Sequence, residues 1–167
     1  MSITSAKFES DVQITDQRTV GVRTSVDVGA KSTSQFTATS GTGALQFNKV
    51  YQAVRTFASA NEDLDMTALT DVDGASLSFS RVVYFRVVNR SSSQSVTVNT
   101  TISNGFTALF NGTAVLPAGA TTTGTDASLF ELRSASAAGF AVTAGTGDLV
   151  RLSGTVGQSV EVIICGS

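Results

Sequence analysis

The chain has 167 residues, 11 basic and 13 acidic side chains for a formal net charge of −2, 41% apolar residues, and neither His nor Trp. That length and apolar content suit one ordinary domain with a packed core and exclude wholesale disorder. The scattered cations form no basic stripe, so direct nucleic-acid binding is not expected, and the lack of His excludes Ser-His-Asp and Cys-His catalysis and most zinc and non-haem iron sites.

The first residues, MSITSAKFESDVQ, have neither the basic start nor the apolar run of a secretory signal. Strands are predicted at Val12–Thr15, Thr19–Val28 and Gln35–Thr39. Val20, Val22, Val26 and Val28 fall at even spacing and share a face in an extended chain. Residues 1–45 hold most of the Lys and no large side chain between Phe8 and Phe36. They read as an N-terminal arm or hairpin segment ahead of a body at 46–167. Leu45–Ala60 alternates, with Leu45, Phe47, Lys49 and Tyr51 on one side and Val50, Gln52, Val54 and Thr56 on the other.

Leu64, Met66 and Leu69 interrupt two acidic clusters, and Asp73-Gly74 marks a turn. Leu77–Val88 is apolar enough to be buried on both faces, although Arg81 and Arg86 interrupt it. The polar turn Asn89–Gln94 and the alternating Ser95–Ile102 complete a predicted hairpin with that strand. Further strands are predicted at Phe106–Phe110, Ala114–Leu116, Ser128–Arg133, Phe140–Thr143, Leu149–Ser153 and Ser159–Cys165, with Asn111-Gly112 and Pro117-Ala118-Gly119 as turns. Ala120–Thr125 reads as a loop. No stretch shows helical periodicity, and no run approaches the roughly 18 apolar residues of a membrane helix. Short strands separated by turn chemistry predict an all-β fold, an antiparallel β-sandwich or jelly-roll-like domain with an extended N-terminal arm.

Candidate chemistry is thin. The glycine-rich stretch Gly139–Gly147 precedes Asp148 where a phosphate loop needs Lys, and the alternating LVRLSGTVG follows where a helix should open. A turn is the better reading, with Gly145 and Gly147 at positive φ and Asp148 accepting backbone N–H groups. Glu62, Asp63, Asp65, Asp71 and Asp73 lack the spacing of a calcium loop and read as a solvated edge. Carboxylate-pair glycoside hydrolysis has no support from aromatic platforms, since the chain has two Tyr and its ten Phe suit a core. The Asn-x-Ser/Thr triplets at Asn89, Asn99 and Asn111 are expected by chance in a Ser/Thr-rich chain. Cys165 is the sole cysteine, so no intramolecular disulfide or Cys-rich metal site forms, and a buried, inert thiol is expected. No catalytic, cofactor-binding or metal-binding residue is assigned, and no cofactor or membrane partner is expected.

Asn61–Ser167 resembles a class of small tailed-bacteriophage virion structural proteins, head-decoration or fibre-like β proteins. The segments that carry the likeness are EDLDMTALTDVDGASLSFSRVVYFRVVN, VLPAGATTTG, FAVTAGTGDLVRLSG and the terminal SVEVIICGS. The chain departs from the pattern at Pro117-Ala118-Gly119, where two glycines would be favoured, and its first 45 residues carry no likeness. The resemblance implies a non-enzymatic role in the virion, as a capsid decoration or a head- or tail-associated component. Its implied partners are further copies of the chain, as a homo-oligomer, and other virion proteins such as the major capsid protein. Residues 1–45 would then interlock subunits by strand addition. The alternative is a carbohydrate-binding or host-adhesion module of a phage fibre, using the loops at Asn89–Gln94, Asn104–Gly112 and Ala118–Thr125.

Overall fold

A computed structural model describes residues 5–20, 23–71, 74–119 and 128–167, with side chains from residue 38 onward. Every regular element among them is a strand. The predicted all-β class and antiparallel pairing are present. The loop expected at Ala120–Thr125 lies outside the described residues.

β1 (Ser5–Val20) and β2 (Arg23–Ser40) pair antiparallel from Ser5↔Thr39 to Val20↔Arg23, with an irregularity between Arg18 and Val20. The single strand expected over Thr19–Val28 is therefore divided between two strands, and Gly21 and Val22 lie outside the described residues. Pairing places Phe8 opposite Phe36. Period-2 alternation puts Phe8, Val12 and Ile14 on one face of the ribbon and Lys7, Glu9 and Asp11 on the other. At about 3.3 Å per residue the ribbon is roughly 50 Å long. Its root meets β3 (Gln46–Phe47), which runs parallel to the end of β2.

Two antiparallel sheets follow. The five-stranded one has the order β11 (Ser128–Arg133), β8 (Arg81–Asn89), β14 (Ser159–Gly166), β4 (Lys49–Thr56), with β12 (Phe140–Ala141) also on β8. The four-stranded one has the order β10 (Thr113–Leu116), β9 (Val96–Asn99), β13 (Leu149–Ser153), β5 (Asn61–Asp65). The short strands β6 (Leu69–Thr70) and β7 (Ser76–Leu77) pair with each other. One apolar cluster draws on both larger sheets, including Phe85, Val87 and Ile164 from the first and Val98, Val150 and Leu152 from the second. Full burial of side chains of this size stabilises the fold by about 1.5–3 kcal/mol each.

The alternation read from the sequence appears in the burial. In β4, Tyr51 is buried while Gln52, Val54 and Thr56 are exposed. In β11, Phe130 and Leu132 pack on the core while Leu129 is exposed. β8 is buried on both faces, as its composition predicts. It begins at Arg81, however, and the expected continuous strand from Leu77 is broken at residues 78–80. Phe106–Phe110 is not a strand either. It forms turns, with Leu109 N bonded to Phe106 O, and the i, i+3 spacing buries Phe106 and Leu109 together.

The hairpin expected between Leu77–Val88 and Ser95–Ile102 does not form. Both edges of β8 are taken, by β11 and β14, and β9 belongs to the other sheet. Asn89–Gln94 is instead a crossing between sheets, organised by the buried Asn89. Its Nδ2 donates to the carbonyls of Gln94 (2.8 Å), Leu116 (3.2 Å) and Pro117 (3.1 Å). Its Oδ1 accepts from Ser91 N (3.0 Å) and from Gln158 Nε2 (3.2 Å). Asn89→Ala leaves three carbonyls and the Gln158 amide without this partner, and is expected to lower stability by about 3 kcal/mol in urea denaturation.

The C-terminal end of β14 shows a close approach. A Cβ on Gly166 would lie 2.1 Å from Arg81 O and 2.7 Å from the Phe79 ring. Backbone meets backbone there, so Gly166→Ala is expected to cost about 2 kcal/mol, read as a fall in the urea midpoint.

Candidate functional site

The five-stranded sheet turns one face to the shared core. Its other face is built by register. Leu129, Val88, Glu161 and Val54 form one cross-strand row; Glu131, Arg86, Ile163 and Gln52 the next; Arg133, Tyr84, Cys165 and Val50 a third. Charges on this face are paired. Tyr84 Oη donates to Glu131 Oε2 (2.9 Å), Arg133 Nε to Glu131 Oε1 (2.5 Å), and Arg90 reaches Glu161 with Nη2 at 2.6 Å. Burial, followed by the Glu131 bond, pushes the Tyr84 phenol up to about 12. Arg86 Nε is buried with no hydrogen-bond partner among the described residues. At the two sheet edges the face is apolar and exposed, at Val54 (71%) and Leu129 (53%).

One end of the face is closed by the root of the ribbon. Ala38, Phe47, Val83, Tyr84 and Cys165 form a second buried cluster. Burial pushes the Cys165 thiol up to about 12, which leaves it protonated and inert, as the sequence predicts. Arg81, read from sequence as an interruption, is buried and ties this root to the body. It donates from Nη2 to the carbonyls of Gly43 (3.1 Å) and Gln46 (2.8 Å), from Nη1 to Ala137 O, and from Nε to Ser167 Oγ (2.8 Å). Composition alone gives no sign of this role, because the partners, three carbonyls and the Ser167 hydroxyl, come from three distant segments.

The acidic residues do not converge. Among the described residues no three His, Cys, Asp or Glu side chains come together as a metal-binding group. Glu62 accepts from Arg55 Nε (3.1 Å) and Ala58 N (3.0 Å), and Asp65 accepts from the Thr67 amide and hydroxyl. Asp63, opposite Arg151 in the β5–β13 pair, accepts a fork of 2.7 and 2.8 Å. Asp73 lies outside the described residues. A shallow depression of about 300 Å³ beside β4 includes Tyr51, Val54, Arg55 and Glu62. There Arg55 is already bonded to Tyr51 Oη (3.0 Å) and to Glu62, so the depression holds a neutralised pair rather than a charge waiting for a ligand.

The glycine-rich stretch is a turn. Gly145 has φ 74° and donates its N–H to Asp148 Oδ2, while Thr143 and Gly147 form an isolated bridge. The positive φ expected at Gly147 is not found, because that residue closes the bridge instead. Asn89, in one of the glycosylation triplets, is fully buried. Polar groups of the Asn89–Gln94 loop are used internally, with Gln94 Oε1 accepting from Thr155 Oγ1 and the Gln94 carbonyl accepting from Asn89 and Gln158.

Comparison with family models, with curated proteins and with solved structures gave no match for this chain. The resemblance to phage virion proteins therefore rests on its own sequence segments.

The Asp63–Arg151 pair has a measurable signature. The Arg151 guanidinium, by hydrogen bonding and by charge, holds the Asp63 carboxyl below the usual carboxylate range. A lowered folded value means that the pair's contribution is complete above the unfolded carboxylate value of about 4 and fades as pH falls through the folded value. The stability gap between wild type and Asp63→Asn is expected to be greatest near neutral pH, to shrink below about pH 4 and to shrink with added salt, as read by chemical denaturation at several pH values.

Proposed function

We propose that this chain is a non-enzymatic structural protein of a virus particle, a capsid decoration or a head- or tail-associated component that assembles through β-rich subunit contacts. In this reading residues 46–167 form an antiparallel β-sandwich body and residues 1–45 an arm. Its partners are further copies of itself and other virion proteins such as the major capsid protein.

The observation that carries the reading is the β1–β2 ribbon. Two strands of 16 and 18 residues pair with each other, and among the described residues their only further strand partner is the two-residue β3. An isolated two-stranded hairpin is marginal in water, and three or more strands or a packing partner are needed to hold it. A body of about 120 residues is only about 35 Å across by the usual size scaling, shorter than the ribbon's roughly 50 Å. A ribbon of that length gains stability by lying against something beyond its own body, which suits a protein that works by contact. The particle itself is suggested by the likeness of Asn61–Ser167 to virion proteins. The adhesion reading has less support, because the loop it would use at Asn89–Gln94 is bonded internally.

Peptides of this chain are expected in purified particles. A chain lacking residues 1–45 is expected to unfold cooperatively and to fail to join the particle. Normal incorporation of the truncated chain would overturn the role given to the arm.

A further inference from the structure

Register along the ribbon separates its residues into two unlike faces. One carries Phe8, Val12 and Ile14 of β1 with Val26, Val28 and Phe36 of β2, small Ser or Ala between them, and Asp16 and Arg18 opposite Val28 and Val26 toward the tip. The other carries Lys7, Glu9, Asp11 and Gln13, paired with Thr37, Gln35, Thr33 and Lys31. The antiparallel pairing therefore brings the apolar positions of both strands to one side, from Phe8 and Phe36 near the root to Ile14 and Ala30, beyond which Asp16 and Arg18 face Val28 and Val26. A β-ribbon with a single apolar side is a half-built sandwich: it is complete when a second layer lies about 10 Å above that side.

We propose that the apolar face of the β1–β2 ribbon is the surface through which copies of this chain associate, each ribbon covering the corresponding face of another. This rests on the reading above only in requiring self-association; it does not require a virus particle.

Three observations favour a second copy as the occupant. The face is continuous with one that is already packed: Ala38, in register with Ala6 at the ribbon root, is fully buried against Phe47, Val83 and Tyr84. What covers the face at its root is this chain, and the ribbon is longer than a body of this size is across. The charges on the face are self-complementary. Asp16 and Arg18 lie two residues apart on the same side, so two such faces offer each other charges of both signs. The area also fits. A strip roughly 50 Å by 10 Å covers about 500 Å² per copy, so two facing ribbons bury about 1,000 Å², the lower bound for a specific interface, before any contribution from the bodies.

The ribbon offers a conservative probe. Ser10 and Ser32 lie on the apolar face, Thr33 and Gln35 on the other. Native Cys165 is buried, so it gives little background to a thiol reagent. Ser10→Cys, Ser32→Cys, Thr33→Cys and Gln35→Cys are made singly in the full chain, and the rate of thiol labelling is followed from dilute to concentrated protein, with mass read by light scattering. The expected result is that Cys at 10 and 32 reacts roughly tenfold or more slowly at concentrations where the mass shows association, and recovers on dilution by mass action. Cys at 33 and 35 is expected to react quickly throughout. Protection of 10 and 32 that does not change with dilution would mean that the chain covers its own face, and would overturn the inference. Equal reactivity of the two faces in an associated state, or a chain that stays monomeric, would overturn it too. The virion reading is decided separately, by whether the chain is found in particles.

Discussion

The seating of Ser159–Gly166 between β4 and β8 is the constraint on which most of the body depends. Among the described residues β4 has no strand partner except β14, and β8 needs β14 to complete one of its two edges. The same strand supplies Val160, Val162 and Ile164 to the core on one face and Cys165 to the ribbon-root cluster on the other. Its last residues close on the start of β8: Ser167 N bonds to Arg81 O, and Ser80 N and Arg81 N bond to Ser167 O. The absence of a side chain at Gly166 is what allows that approach. Because β4 and β14 are about a hundred residues apart in sequence, the sheet closes only after a long loop has been ordered, and its contacts are dominated by non-local pairing.

Two buried polar side chains then connect what the strands alone leave separate. Asn89 holds together the crossing at residues 89–94, the end of β10 and the turn before β14, so the two sheets stay joined at one end. Arg81 gathers the 43–46 segment, the 137 loop and Ser167 near the start of β8, and so fixes where the ribbon leaves the body. Each gathers carbonyls from separate segments around one buried side chain, and a half-satisfied network of this kind would be costlier than an apolar one.

Strand positions were largely legible in the sequence, because alternation of apolar and polar residues reports directly on which side of a sheet is buried. Ser128–Arg133 and Leu149–Ser153 coincide with β11 and β13 for that reason. Pairing was less legible. Nothing in the alternation of Leu77–Val88 says that both of its edges are occupied by distant strands, so a local hairpin with Ser95–Ile102 was the natural expectation and was wrong. Thr19–Val28 alternates without a break across the point where the chain reverses. Arg81 and Asn89 were visible only as an interruption and a turn residue, since their roles depend on carbonyls brought together by tertiary structure. No catalytic or ligand-binding group was expected, and the feature on which the proposed function rests, the β1–β2 ribbon, emerges only when the register of β1 against β2 is known.

The ribbon and the body differ in what holds them. The body has a shared core between two sheets, while the ribbon has a single apolar face and a two-residue link through β3. In the proposed association a second ribbon supplies the missing layer, and the contacts between copies are then part of the fold of each. Hydrogen exchange of backbone amides, followed by mass spectrometry over a range of protein concentrations, separates these two sources of stability. Amides of β8 and β14 are expected to stay protected at every concentration, while those of β1 and β2 are protected when the chain is associated and exchange quickly when it is diluted. Protection of β1 and β2 that is unchanged by dilution would contradict the account.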